Sequence, residues 1–406
     1  MRNRFLAGAF ALALTVTACA TGSSQNPEDP DTSTSGEGAT TSPESTPNSD
    51  ADQQSPQASA LSDMDDPSFP PPLVDPDEIL SGGPPPDGIP SIDDPQFVTV
   101  DQADEWITVS EPVVYLEANG EVHVYPVQIL IWHEIVNDTV GRIPVAVTYC
   151  PLCNSAVSYR REVDGAITTF GTSGRLYASA LVMYDRATES LWTHYDGRAV
   201  VGALTGEVLE PISSPLLAWP DLKAAFPDAL VLDRDATGFN RPYGENPYAG
   251  YDTQSGTAFL FRGTADDRAR EMQRVVGVAI DGAARAWTLE SISGGEARVT
   301  NGAVGDTPIV ILWKAGQASA LESTFIAGGR DVGSVGVFSP VVDGRQLTFA
   351  ADGGSFRDEE THTEWDITGR AISGELTGTT LEQIHHLDTF WFAWSTYQPD
   401  TDLVGD

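Results

Sequence analysis

Two thiols on one short stretch, Tyr149-Cys150-Pro151-Leu152-Cys153-Asn154, are the side chains of this sequence best suited to chemistry. The remaining cysteine, Cys19, belongs to the N-terminal leader. Thiols this close on a tight turn can chelate a soft metal, cycle between dithiol and disulfide, or close a small inert disulfide loop. A zinc site needs about four ligands, and no second cysteine pair exists to supply them. Imidazoles must then complete the set, and the candidates are His133, His194, His385 and His386. Cu(I) accepts two thiolates, with Met183 as a further soft ligand. Zn or Cu is therefore the expected cofactor, and otherwise none.

The elements around the turn bear on the choice. Val145-Ala146-Val147-Thr148 before it and Ala156-Val157-Ser158-Tyr159 after it both read as strands. A hairpin turn holding Cys-Pro-Leu-Cys resembles a rubredoxin or zinc-ribbon knuckle. A thioredoxin-like dithiol would instead set its first thiol at a helix N-terminus, where its pKa falls. Metal binding or metal-dependent chemistry is the leading reading. A thiol-disulfide oxidoreductase and a non-catalytic scaffold or ligand-binding protein with a structural disulfide are the alternatives. A second candidate element is Met183-Tyr184-Asp185-Arg186. Asp185 could act as acid, base or ligand, and Arg186 could clamp an anion; the plainer reading is an internal pair that fixes a turn. His123, alternating with Val122 and Val124, reads as a surface or interface residue. No P-loop, nucleophile elbow, His-Glu-x-x-His or dinucleotide fingerprint occurs.

The leader is an address. Arg2 and Arg4 precede an apolar run, and Val16-Thr17-Ala18-Cys19 has the form of a bacterial lipoprotein signal cut before the cysteine. Cys19 would carry the lipid and hold the protein outside the cytoplasm on the cell membrane. The net charge of -37, from 59 acidic and 22 basic residues, argues against nucleic acid. Residues 19–72, rich in Ser, Thr, Pro and acids, read as a disordered acidic tether. A Pro/Gly-rich arm, Gly82 to Pro90, opens the ordered part. A metal or small molecule is the ligand to expect, and no protein partner can be read from the residues.

The ordered part reads as one unit written twice. Gly197-Arg-Ala-Val-Val-Gly-Ala-Leu-Thr-Gly pairs with Gly369-Arg-Ala-Ile-Ser-Gly-Glu-Leu-Thr-Gly. Asn119-Gly120 and Asp164-Gly165 pair with Asp281-Gly282 and Asp343-Gly344, dipeptides suited to hairpin turns. The expected fold is mostly β (α+β) with a few short helices, its two copies packed with pseudo-twofold symmetry. The expected division is signal 1–18, tether 19–72, first copy with its arm 73–235, connector 236–272 and second copy 273–406. The tyrosine-rich connector reads as a packed loop or as a lip over a pocket. Cys150 and Cys153 fall opposite Lys314 and Gln317, so copy one is the working half. His385-His386 could reach into it from copy two.

Cys150-Pro-Leu-Cys153, Phe170-Gly-Thr-Ser-Gly174, Met183-Tyr-Asp-Arg186 with Trp192, and Phe390-Trp-Phe-Ala-Trp394 with Pro399-Asp400-Thr401 occur in order. Together they resemble the bacterial and archaeal domain of unknown function 3179 family, over roughly residues 79–406. The resemblance implies no particular reaction or cofactor.

Overall fold

Residues 58–405 are described by the structure, a computed structural model, except 254, 255 and 265. The signal sequence, Cys19 and the tether up to residue 57 lie outside the described residues. No helix among the described residues is long and apolar enough to cross a membrane.

The fold is mostly β, with short helices between strands. The four predicted hairpin turns form as their chemistry demands. Asn119, Asp164, Asp281 and Asp343 have φ near +50°, each followed by a glycine of positive φ. That is the backbone of a type I′ turn, which small polar residues and glycine tolerate. Strand order repeats along the chain. Leu216–Ala218, Pro112–Ala118, Glu121–Pro126 and Leu230–Leu232 lie side by side, extended by Phe97–Thr99. Leu387–Phe390, Arg274–Ile280, Ala283–Thr288 and Asp402–Val404 follow in the same order. In both sheets the last-named of these four strands runs parallel to the second strand of the hairpin. A meander Phe170–Tyr177, Ala180–Asp185, Leu191–Thr193, Ala199–Val201 is likewise matched by Phe349–Asp352, Ser355–Asp358, Glu364–Trp365, Ala371–Ser373.

The strand that ends at Cys150 and leads into the turn holding Cys153 is Ile143–Cys150, paired with Ile135–Val140 on one side and Ser155–Arg160 on the other. Its inward residues Val145, Val147 and Tyr149 are buried. The corresponding strand Thr307–Lys314 does not turn back at once. Its partner Ser334–Phe338 begins only after an excursion through residues 315–333. Lys314 and Gln317 are therefore not turn residues of a matching hairpin. Lys314 closes its strand and pairs with Asp221 at 2.6 Å, and Gln317 is buried beside Ser334.

The ordered chain starts before the expected arm. Residues 58–72, which composition assigns to the tether, contribute Ala60, Leu61, Met64 and Phe69 to a cluster with Val182, Tyr184, Leu191 and Val201. Sparse apolar residues at suitable positions suffice to dock a segment that is polar on average. One core cluster draws on Cys150, Cys153 and Val147 together with Phe390, Trp391 and Trp394 from the C-terminal region.

Candidate functional site

The turn Pro151–Asn154 closes the hairpin that presents the thiols. Asn154 takes φ 48°, and its amide reaches the Asp388 carbonyl at 3.3 Å. The Cys153 carbonyl accepts from the Phe390 amide at 3.2 Å and from the Thr389 hydroxyl at 2.7 Å. The turn is thus held from the C-terminal region as well as by its own strands. Cys150 ends its strand at a hairpin turn and does not open a helix, so no helix N-terminus among the described residues acts on it.

Both cysteines are free and buried. Their sulfurs and a nitrogen of His194 lie within 4.8 Å of one another. Burial pushes the Cys150 thiol up, but hydrogen bonds from the Cys153 thiol and from the amides of Leu181, Cys153 and Leu152 outweigh it and leave Cys150 below the ordinary range. The Leu181 amide donates to Cys150 Sγ at 3.4 Å. Cys153 goes the other way: burial and the adjacent Cys150 raise it well above the ordinary range. Its Sγ lies 2.9 Å from the Ser155 hydroxyl.

His194 follows the strand Leu191–Thr193 and is fixed by its backbone. Its amide donates to the Leu181 carbonyl at 3.0 Å, and its carbonyl accepts from the Tyr159 hydroxyl at 2.8 Å. The ring is fully buried, and neither ring nitrogen has a hydrogen-bond partner among the described residues. Burial alone pulls its pKa down to about 3, which keeps the imidazole neutral. A buried polar atom left without a partner costs on the order of 1–3 kcal/mol.

The other predicted residues are placed elsewhere. His133 is committed at both nitrogens, to the Pro90 carbonyl at 2.8 Å and the Tyr243 hydroxyl at 2.7 Å. His385 lines a separate cavity of about 230 Å³ with Tyr159 and Tyr195, and burial draws its pKa to about 4. His386 Nδ1 donates to the Ile384 carbonyl at 2.9 Å, beside Ser214. None of the three joins the thiols. Met183 is buried on the strand that carries Leu181, opposite Trp192.

Asp185 and Arg186 do not pair with each other. The Asp185 carboxylate accepts from the Thr188 amide and hydroxyl, the Ser190 amide and the Trp192 indole, which fills it. Asp358 is filled in the same way by Thr361, Thr363 and Trp365. Arg186 holds the arm, with Asp93 at 2.7 Å and Asp87 at 3.1 Å. His123 is buried, not superficial, and lies 2.7 Å from both Asp138 and Glu121.

Three further residues lie near the thiols: Glu134, which escaped sequence reasoning, and two tyrosines of the connector read as a packed loop or a lip. Glu134 ends the helix Val127–His133 with φ 59°, and its carboxyl is buried. Burial, with a smaller push from Cys150, lifts its pKa to about 8; a hydrogen bond from Tyr248 acts against this. Tyr248 and Tyr251 come from the connector, and the Tyr251 hydroxyl donates to the Leu152 carbonyl at 3.0 Å. All three line a cavity of about 330 Å³ with Leu152 and Leu181. The connector is thus both packed and a wall of a pocket. The only signal for Glu134 was an acid set between two apolar runs.

No curated protein and no solved structure matches the chain. A family model does, over residues 86–401, which take in the thiol hairpin, His194, Glu134 and both connector tyrosines. On that match the chain belongs to the family described as protein of unknown function (DUF3179).

Proposed function

We propose that Cys150, Cys153 and His194 form a soft-metal centre for Zn(II) or Cu(I) in an extracytoplasmic lipoprotein. The observation that carries this reading is the fully buried, neutral His194 ring, which has no hydrogen-bond partner among the described residues and lies within 4.8 Å of two thiols. A metal ion would take up the nitrogen's lone pair and the negative charge of two thiolates. Tetrahedral zinc bonds of about 2.0–2.3 Å set ligand atoms roughly 3.5–3.8 Å apart, so the present spacing needs only a small contraction. The amides aimed at Cys150 favour its thiolate, as a metal knuckle requires. Two cysteines and one histidine leave a fourth position open, the ligand count of a catalytic zinc; the same set suits three-coordinate Cu(I).

Metal analysis of reduced, purified protein tests the reading. Near-stoichiometric Zn(II) or Cu(I) is expected, lost in Cys150→Ser and weakened at least tenfold in His194→Ala, with His133→Ala and His385→Ala unchanged. Failure of reduced wild-type protein to take up either ion, or metal persisting without both cysteines, rules it out.

A thiol-disulfide oxidoreductase is the second reading, favoured by the opposite shifts of the two thiols. A reversible disulfide in metal-free protein at a mild potential would support it. Two further proposals concern the chain as a whole. Its repeated strand order, matched turns and the twin carboxylate networks at Asp185 and Asp358 support an internal duplication, with residues 73–235 and 273–406 as the copies and 236–272 as connector. The lipoprotein signal supports anchoring at Cys19. Cys19→Ala is expected to release the protein from the membrane fraction with its fold unchanged; retention of that variant would remove the anchor.

A further inference from the structure

The cavity beside the thiols is built from segments that do not otherwise belong together. The Pro/Gly-rich arm supplies Gly82, Pro84 and Ile89, and the connector supplies Tyr248, Tyr251 and Phe259. The strands after Phe170 close it with Leu176 and Leu181. At about 330 Å³ it falls at the lower end of small-molecule sites, which run from roughly 300 to 1,000 Å³. Its walls are largely aliphatic and aromatic. Phe259 is half exposed, which places it at the mouth. Leu152 and Leu181 connect it to the centre: Leu152 lies between the two cysteines, and the Leu181 amide donates to Cys150 Sγ at 3.4 Å.

Two observations point to a ligand and not to packing space. Glu134 is held at φ 59°, which costs a side-chain-bearing residue on the order of 1–2 kcal/mol, where glycine would cost nothing. That strain sets a carboxyl group on the wall of a largely apolar cavity. The charge inventory then limits the ligand. Among the described residues of the lining, Glu134 is the one acid and Arg175 the one base, and Arg175 donates to the Leu61 carbonyl at 3.1 Å. An anion would have to approach a chain of net charge -37, and any ion would lose its water among aliphatic walls.

We propose that this cavity binds a small, uncharged, mainly apolar molecule with a carbonyl or hydroxyl that hydrogen-bonds Glu134, and presents it to the thiol centre. The second half rests on the metal reading; the binding itself does not.

A matched pair of dyes tests it on reduced, purified protein. N-phenyl-1-naphthylamine is neutral, and 8-anilinonaphthalene-1-sulfonate has the same aromatic frame with an added charge. The neutral dye is expected to bind saturably at one per chain, and the sulfonate at least tenfold more weakly. Leu176→Trp fills the cavity and should weaken the neutral dye at least tenfold. Phe259→Ser, at the mouth and safe for folding, should weaken it several-fold. In protein loaded with Co(II), the neighbouring ion should quench the bound dye. Binding unaffected by both cavity substitutions, or equally tight binding of the sulfonate, overturns the proposal. Dye binding with no metal uptake keeps the pocket and sinks the metal centre alone. Co(II) uptake without quenching of the bound dye separates the pocket from the centre.

Discussion

At His194 the sequence offered one imidazole among four candidates, and only their surroundings in the fold distinguish them. His133 has a partner for each nitrogen, whereas His194 has none among the described residues. Spacing could identify the two thiols because they are three residues apart on a hairpin, but it could not bring residue 194 to them. That placement depends on the pairing of Ala180–Asp185 with Leu191–Thr193, a tertiary fact. Glu134 was illegible for a related reason: neither its positive φ nor its burial follows from residue type. Its titration gives a prediction. The folded-state pKa is raised from 4.5 to about 8, so the folded chain keeps a proton that the unfolded chain releases. The stabilisation this confers is complete below about pH 4.5 and disappears as pH rises to about 8, at up to ~1.4 kcal/mol per pH unit. Glu134→Gln, which stays neutral, should remove that slope. Urea melts of metal-free wild type and variant should show the stability difference shift in favour of the variant as pH rises from 5 to 8. A difference that stays constant over this range would mean that Glu134 is ionised in the folded protein.

Local chemistry made several elements readable before any contact was known. Asn119-Gly120 and its three counterparts dictate their turns through φ alone. The excursion through residues 315–333 was not readable, because strand pattern on both sides of it resembles a hairpin with an uncertain join. Its contacts account for it. Arg330 from this segment meets Asp252 of the connector at 2.7 Å, and Asp252 also meets Arg274 at 3.4 Å. Arg274 opens the strand Arg274–Ile280 and reaches Asp388 at 3.1 Å. Both Arg274 and Asp252 are almost wholly buried. The carboxyls share the positive charge unequally: desolvation leaves Asp388 raised, whereas arginine and serine partners outweigh the same burial at Asp252 and leave it lowered. Removing one partner from such a group strands the remaining charges away from water. Arg274→Met should therefore destabilise the fold by ~3–5 kcal/mol in denaturant titrations. Adding Asp252→Asn and Asp388→Asn should recover part of that loss. Arg186→Ala is predicted to be milder, because its partners Asp87 and Asp93 are partly exposed. Its effect should be local, as faster proteolysis within the arm at residues 82–93, with little change in global stability.

At the scale of the whole molecule, the thiol hairpin depends on residues more than two hundred positions away. Phe390 and Thr389 satisfy the Cys153 carbonyl, Asp388 accepts from Asn154, and Phe390, Trp391 and Trp394 share one core with Cys150 and Cys153. The first part of the chain alone would expose the face of that core around Cys150 and Cys153 and leave a buried carbonyl without its donors. The second part alone would expose Phe390 and Trp391, which are fully buried in the intact chain. Large burial of this kind makes the two parts one cooperative structure, even though each has sheets of its own. The connector provides a place to test this without removing anything. Arg262, Gly263 and Thr264 are exposed, so a protease site inserted between Gly263 and Thr264 should be cleaved without disturbing packed residues. The nicked protein should elute as a single species at the size of the intact chain and should keep its near-ultraviolet circular dichroism. Its two pieces should separate only on unfolding, and residues 58–263 expressed alone should show neither fixed tertiary signals nor stoichiometric metal. If the nicked pieces drift apart in native buffer, each keeping its fold, then the contacts around Cys153 are adventitious, and the thiol centre is a property of the first part alone.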